Sequence, residues 1–125
     1  MIKLKSTEEF YNVVESNKLC IVYFYTKWCP DCFMMKPALP RLEKDYPEIT
    51  FYSFNRDSDI HLAKHLEIYG IPSFLIFNNG DEIGRYVDKK RKSYIEVKTF
   101  IEEVLTKEWF HVWIFKEKEE QKQSS

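Results

Sequence analysis

The sequence predicts an α/β domain, a central mixed β-sheet with helices against its faces. Three observations carry this. The run LCIVYFYT (19–26) is continuously apolar, as a strand covered on both faces requires; stretches of helical spacing alternate with short apolar runs; and an asparagine–glycine pair separates two strand-like runs late in the chain. With 125 residues, 44% of them hydrophobic and 31% charged, the chain suffices for one core without disulfide staples. A formal net charge of −1 creates no field that would gather nucleic acid or an anionic membrane. The opening, MIKLKSTEEFYN, has no apolar signal segment, and no apolar run approaches the roughly 20 residues that cross a bilayer. The expectation is a soluble, cytoplasmic protein with neither nucleic acid nor membrane as partner.

Taken in order, residues 2–5 suit a brief strand, and Ser6 with Glu9 forms a capping box that opens a helix to about Ser16. The buried strand 19–26 follows. From Pro30 to about Asp45, Phe33, Met34, Met35, Ala38, Leu39 and Leu42 recur at helical spacing, with Pro37 and Pro40 inside the pattern to kink it. ITFYSFN (49–55) reads as a second buried strand. DIHLAKHLEIYG (59–70) reads as a helix with Ile60, Ala63 and Leu66 turned inward, Leu62 as a further candidate for that face, and Gly70 as its C-terminal cap. SFLIF (73–77), NNG (78–80) and DEIGRYV (81–87) form a hairpin, and Ser93 with Glu96 opens an amphipathic helix over 93–105. Residues 1–106 are thus expected as one domain and 107–125 as a C-terminal extension. In that extension the aromatic stretch 109–115 is either docked on the body or offered to a partner, and a charged, frayed tail follows.

Chemistry concentrates at WCPDC (28–32). Cysteines three apart are a redox couple, half a metal site, or two buried thiols. Their place at the carboxyl end of a central strand and the first turn of a helix exposes them to unpaired backbone N–H groups and the helix dipole, which favour thiolate. Cys29, at the turn, is the expected exposed nucleophile; Cys32, one turn further in, is the expected shielded resolving thiol. Trp28 flanks them as an apolar platform. Zinc would need His61 and His65 as further ligands, but the gap from Cys32 to His61 is about twice the 12 to 15 residues typical of such sites, so no metal is assigned. Cys20 opens a buried strand and reads as a small apolar residue. The run DKKRK (88–92) reads as solvated surface. Three unevenly spaced cysteines do not make a secreted disulfide framework, so any disulfide is transient. Pro72, at the entrance of a central strand, marks a bend there.

WCPDC, Pro37 five residues past Cys32, GIPSF (70–74), the NNG hairpin and the terminal amphipathic helix occur in the order and spacing of the thioredoxin superfamily, which the chain resembles over residues 5–106. The resemblance implies the thioredoxin fold and a thiol–disulfide oxidoreductase that needs no cofactor. It implies that the peptide before Pro72 is cis, and that Ile71, Pro72 and Ser73 offer backbone hydrogen bonds to an extended substrate. The Pro30–Asp31 dipeptide is similar to that of a cytosolic thioredoxin-related subfamily. Pro30 fits the first helical positions, where its missing N–H costs nothing. Tyr23 stands where typical members hold a buried aspartate, and Asp88 where they hold a glycine. With Pro30 and Asp31, Tyr23 is expected to tune the site.

The implied partners are disulfide-containing proteins or small molecules and an external, thioredoxin reductase-like electron donor. Two rivals remain at this stage: a glutaredoxin-like, glutathione-dependent reductase, and a non-catalytic binding or redox-sensing module that uses segment 109–115.

Overall fold

The computed structural model describes residues 1–16 and 18–123, with the side chains of 109–123 outside the description. Five strands, β1 (Ile2–Leu4), β2 (Leu19–Tyr25), β3 (Thr50–Asn55), β4 (Ser73–Asn78) and β5 (Asp81–Tyr86), form one sheet in the order β1-β3-β2-β4-β5. The pairs β1–β3 and β2–β3 are parallel, whereas β2–β4 and β4–β5 are antiparallel, so the sheet is mixed as expected. The helices are α1 (Thr7–Ser16), α2 (Pro30–Met35), α3 (Ala38–Asp45), α4 (Ile60–His65) and α5 (Tyr94–Gln123), with a 3-10 turn at Arg56–Ser58 that the sequence pattern did not announce.

Strand alternation divides the core in two. Cys20, Val22 and Phe24 of β2 face a cluster with Phe10 and Val14 of α1 and Leu62 and Ala63 of α4. Ile21 and Tyr23 face the opposite cluster, with Met35, Leu42 and the Val97–Ile101–Val104 stripe of α5. The central position of β2 therefore covers both its faces, which is why its sequence is apolar without alternation.

The Ser93 capping box forms, Ser93 and Glu96 bonding each other's backbone N–H reciprocally at 3.2 Å; at Ser6 the Oγ accepts from Glu9 N at 3.1 Å, while Glu9 takes the Lys5 N–H in place of that of Ser6. The helix expected over 30–45 is two helices. A continuous helix would bond the carbonyls of Phe33 and Lys36 to residues 37 and 40, both prolines without an N–H. Those carbonyls accept instead from Lys36 and Leu39 at 3.2 and 3.3 Å, and the helix tightens and breaks there rather than kinking.

The helix over 59–70 also ends early, at His65. Ile68 N bonds Ala63 O at 2.8 Å and Glu67 N bonds Lys64 O at 3.1 Å, a Schellman closure whose left-handed residue is Glu67 (φ 58°). Gly70 is not the cap. Ile60, expected inside, is exposed, because α4 turns Leu62 and Ala63 to the core. In the hairpin Asn79 and Gly80 both take positive φ, as a two-residue type I′ turn demands. The last helix does not stop near 105 but runs on to Gln123. The docking or partner role considered for 109–115 turns on side chains that lie outside the description. No helix among the described residues is long and apolar enough to cross a membrane.

Candidate active site

The strand β2 ends at Tyr25 and α2 begins at Pro30, so Cys29 is the N-cap of α2 and Pro30 its first residue. The Cys29 sulfur accepts a hydrogen bond from the Cys32 backbone N–H at 3.3 Å, with Cys29 in extended conformation (φ −87°, ψ 112°). A cap of this kind puts sulfur where serine or aspartate oxygen usually sits, and an N–H aimed at a sulfur is accepted more strongly by thiolate than by thiol. With α2 only six residues long, this local amide, rather than a long helix dipole, is what the fold offers the sulfur.

Cys29 was expected to be exposed; it is 8% exposed against 3% for Cys32, because its sulfur turns inward to take that amide. Burial pushes the Cys32 thiol up to about 12, with the hydrogen bond and charge of Cys29 acting in the same direction and the Thr26 backbone and Tyr23 hydroxyl opposing. Cys32 is thus a thiol at neutral pH. Tyr23 does lie beneath it: the phenol donates to the Cys32 carbonyl at 3.3 Å, and its ring stacks on Phe74 and Tyr25. Burial, then the neighbouring Cys32, raises its own ionisation well above the ordinary tyrosine range, so it acts here as a donor and not as a base.

Ile71 belongs to the same core cluster as Cys29 and Cys32; its peptide bond to Pro72 is cis, and Ile71, Pro72 and Ser73 are all buried. Ser73 Oγ donates to the Gly70 carbonyl at 2.5 Å, so any contact this segment makes with a substrate is left to its backbone. Gly70 is needed for proximity: a Cβ there would stand 2.3 Å from both the carbonyl carbon and oxygen of Asp88. Asp88 itself accepts from Lys92 Nζ at 2.8 Å. The 88–92 run is therefore only partly the solvated surface expected of it. The Lys92 side chain is fully buried, bonded to Asp88 and the Lys90 carbonyl and set over the Tyr86 ring. Arg91 reaches Asp31, Nε to Oδ1 at 2.9 Å. Sequence reasoning missed both contacts, and also the bond from Trp28 Nε1 to Asp57 Oδ2 at 2.8 Å that holds the 65%-exposed indole. Arg91 and Asp31 are too far apart in sequence for any local pattern to pair them.

His61 and His65 are exposed on α4, and no group of three or more histidine, cysteine or acidic side chains suited to a metal occurs among the described residues. Cys20 is fully buried in the core, where burial pushes its thiol up to about 11.

A family model described as Thioredoxin matches residues 1–103. Mitochondrial thioredoxin-3 of Saccharomyces cerevisiae is 33% identical over 85 residues, 68% of this chain and 67% of its own length. A thioredoxin of Chlamydia pneumoniae is 33% identical over 95 residues, 76% of this chain and 92% of its own. Among solved structures, the oxidised form of the same yeast mitochondrial protein superposes with a TM-score of 0.70 at 28% identity, covering 82% of this chain and 94% of that one.

Proposed function

Since the chain belongs to the thioredoxin family and is a thiol–disulfide oxidoreductase, we propose that Cys29 attacks the substrate disulfide and Cys32 resolves the product. The observation that carries this assignment is the Cys32 N–H bonded to the Cys29 sulfur while the Cys32 thiol is buried and held protonated. Cys29 thiolate displaces one substrate sulfur and forms a mixed disulfide. Cys32 then loses its proton to water or to the departing thiolate, attacks the Cys29 sulfur and releases the second thiol. The protein leaves the cycle with a Cys29–Cys32 disulfide, and an external thioredoxin reductase-like donor returns the electrons.

Trp28, exposed and fixed by Asp57, is the platform against which a substrate lies, and the backbone of Ile71, Pro72 and Ser73 supplies the opposing hydrogen bonds. Pro30, Asp31 and Tyr23 tune the pair: Pro30 starts the helix without wasting a donor, Asp31 adds negative charge beside the thiols, and Tyr23 donates where a carboxylate would accept. The working compartment is reducing, as in the cytosol, which the small and uneven cysteine complement supports. Residues 1–106 form the catalytic unit and 107–125 an appendage, a division supported by the extent of the family match.

Insulin reduction driven by NADPH and thioredoxin reductase tests the reading, with glutathione and glutathione reductase as the alternative donor. Turnover with the first donor, lost in Cys29→Ser, is the expected result. Turnover with glutathione alone would move the protein to the glutathione-dependent class, and no turnover with either would favour a binding module. The same assay on a chain ending at Thr106 tests the division of the chain.

A further inference from the structure

A cavity of about 430 Å³ opens on both thiols, and Cys29, Cys32, Thr26, Lys3, Lys27 and Lys36 are among the residues lining it. Neither Trp28 nor residues 70–73 contribute, so it is separate from the wall on which an extended substrate would lie. Its volume lies within the roughly 300–1,000 Å³ usual for small-molecule sites, and Phe33 and Leu39 supply an apolar side.

Its polar lining is matched only in part: the Tyr23 hydroxyl donates to the Cys32 carbonyl and the Met1 ammonium pairs with Glu43 at 2.8 Å, but the lysines are not so paired. None of the described lining residues is acidic, and among the described residues none of the three lysines has a carboxylate within ion-pair distance. Lys36 is held over the Phe33 ring, its Nζ 5.2 Å from the centroid. Thr26 is 2% exposed, and its Oγ1 has no hydrogen-bond partner. A buried hydroxyl without a partner is costly, and three lysines without a paired carboxylate favour an anion beside them. A carboxylate in the cavity answers the ammoniums, which have donors only.

We propose that this cavity binds the carboxylate of a low-molecular-weight disulfide, so that the protein reduces small anionic disulfides in preference to neutral and cationic ones. The inference rests on the assignment of Cys29 and Cys32 made above. With R–S–S–R seated by its carboxylate, Cys29 thiolate attacks the nearer sulfur. The Cys29–S–R bond forms, the substrate S–S bond breaks, and RS⁻ leaves and takes a proton from water. Cys32 gives up its proton to water, attacks the Cys29 sulfur and expels the second RS⁻. The substrate gains two electrons and the protein loses two; two thiols are produced, and the reductase later restores the dithiol.

Single-turnover reduction by the pre-reduced full-length protein tests this with three disulfides: dithiodiglycolate (anionic), 2-hydroxyethyl disulfide (neutral) and cystamine (cationic). Each rate is divided by that of free dithiothreitol with the same disulfide, to remove intrinsic reactivity. The expected anionic-to-cationic ratio is about tenfold or more at low ionic strength, collapsing towards unity in high salt as the lysines are screened. Lys3→Gln with Lys36→Gln should cut that ratio by at least about threefold, while Lys107→Gln, remote on α5, leaves it in place. Reduction of all three disulfides at equal normalised rates overturns the inference alone. So does a ratio that survives loss of both lysines. Selectivity confined to acidic peptide disulfides and absent for dithiodiglycolate assigns the cavity to protein clients and overturns the small-molecule claim. Reduction of none of the three overturns the cysteine assignment beneath it.

Discussion

The two walls of the dithiol differ in how completely their polar groups are matched. On the Pro72 side the matching is finished: Ser73 bonds Gly70, Gly70 abuts the Asp88 backbone, and Asp88 holds Lys92. On the Tyr23 side, the tyrosine hydroxyl and the Met1 ammonium are placed, while Thr26 Oγ1 has no partner and the lysines nearby have no paired carboxylate among the described residues. The difference teaches that a rigid wall suits a segment that always arrives in one backbone geometry. A wall with unmatched donors suits charge or protons that come and go, and Cys32, the thiol that must lose a proton, lines it.

The largest effect expected sharpens that contrast through pH. Cys32 is pushed up to about 12 chiefly by burial, which persists when Cys29 is tied up in a mixed disulfide. The rate of resolving a pre-formed Cys29 mixed disulfide should therefore climb about tenfold per pH unit from about pH 7 to 9, as the thiolate fraction does; a plateau in that range, seen by stopped flow, would contradict it. The linked stability has a definite sign. Both Cys32 and Cys20, the latter pushed up to about 11, hold protons in the fold that the unfolded chain releases near 9.0. Their contribution is full below the unfolded value and is lost as pH rises through about 11 and 12, so the urea midpoint should fall across that window.

Next comes the attempt to break the finished wall. Gly70→Ala forces a methyl into the Asp88 backbone, which cannot swing aside as a flexible side chain would, and should cost about 1–3 kcal/mol in urea unfolding, with slower insulin reduction. An unchanged midpoint would show the approach to be unimportant.

Smaller still is a matched pair of hydroxyl deletions. Ser73→Ala removes the partner of a buried carbonyl and should cost about 1 kcal/mol, whereas Thr26→Val removes a hydroxyl with no partner and should leave stability level or slightly higher. Equal losses would mean that the two walls are not different in kind.

The smallest effect lies at Asp31. Its bridge to Arg91 is solvent-exposed on the arginine side, at 63%, and so offsets little of the charge it places beside the thiols. Asp31→Asn should make the protein more oxidising by about 5–20 mV in glutathione buffers. The unaltered protein should lie nearer the roughly −270 mV of thioredoxin than the roughly −120 mV of DsbA. A value above about −180 mV would contradict its role as a reductant.

Much of this was legible in the sequence because it is local. The side-chain caps at Ser6 and Ser93, the Asn79–Gly80 turn, the alternation-free β2 and the placement of WCPDC after it depend on neighbours a few residues away. The prolines at 37 and 40 were visible too, but their combined effect needed both missing donors to be counted against specific carbonyls. What escaped was of two kinds. Glu67 takes a left-handed conformation that glycine usually fills, and Lys92 is buried by pairing with Asp88 four residues back, both local but against the usual preference of the residue. Gly70 answers to Asp88 and Arg91 finds Asp31 across the chain, contacts decided by which loops the fold brings together.

The claim on which the rest depends is that the two thiols differ, Cys29 reactive and Cys32 withheld. Limiting iodoacetamide, added to the reduced protein near neutral pH and followed by peptide mass spectrometry, measures this directly. Cys29 should be alkylated first, with Cys32 and Cys20 left unmodified until Cys29 is nearly consumed. Labelling of Cys32 as fast as Cys29, or faster, would contradict the assignment.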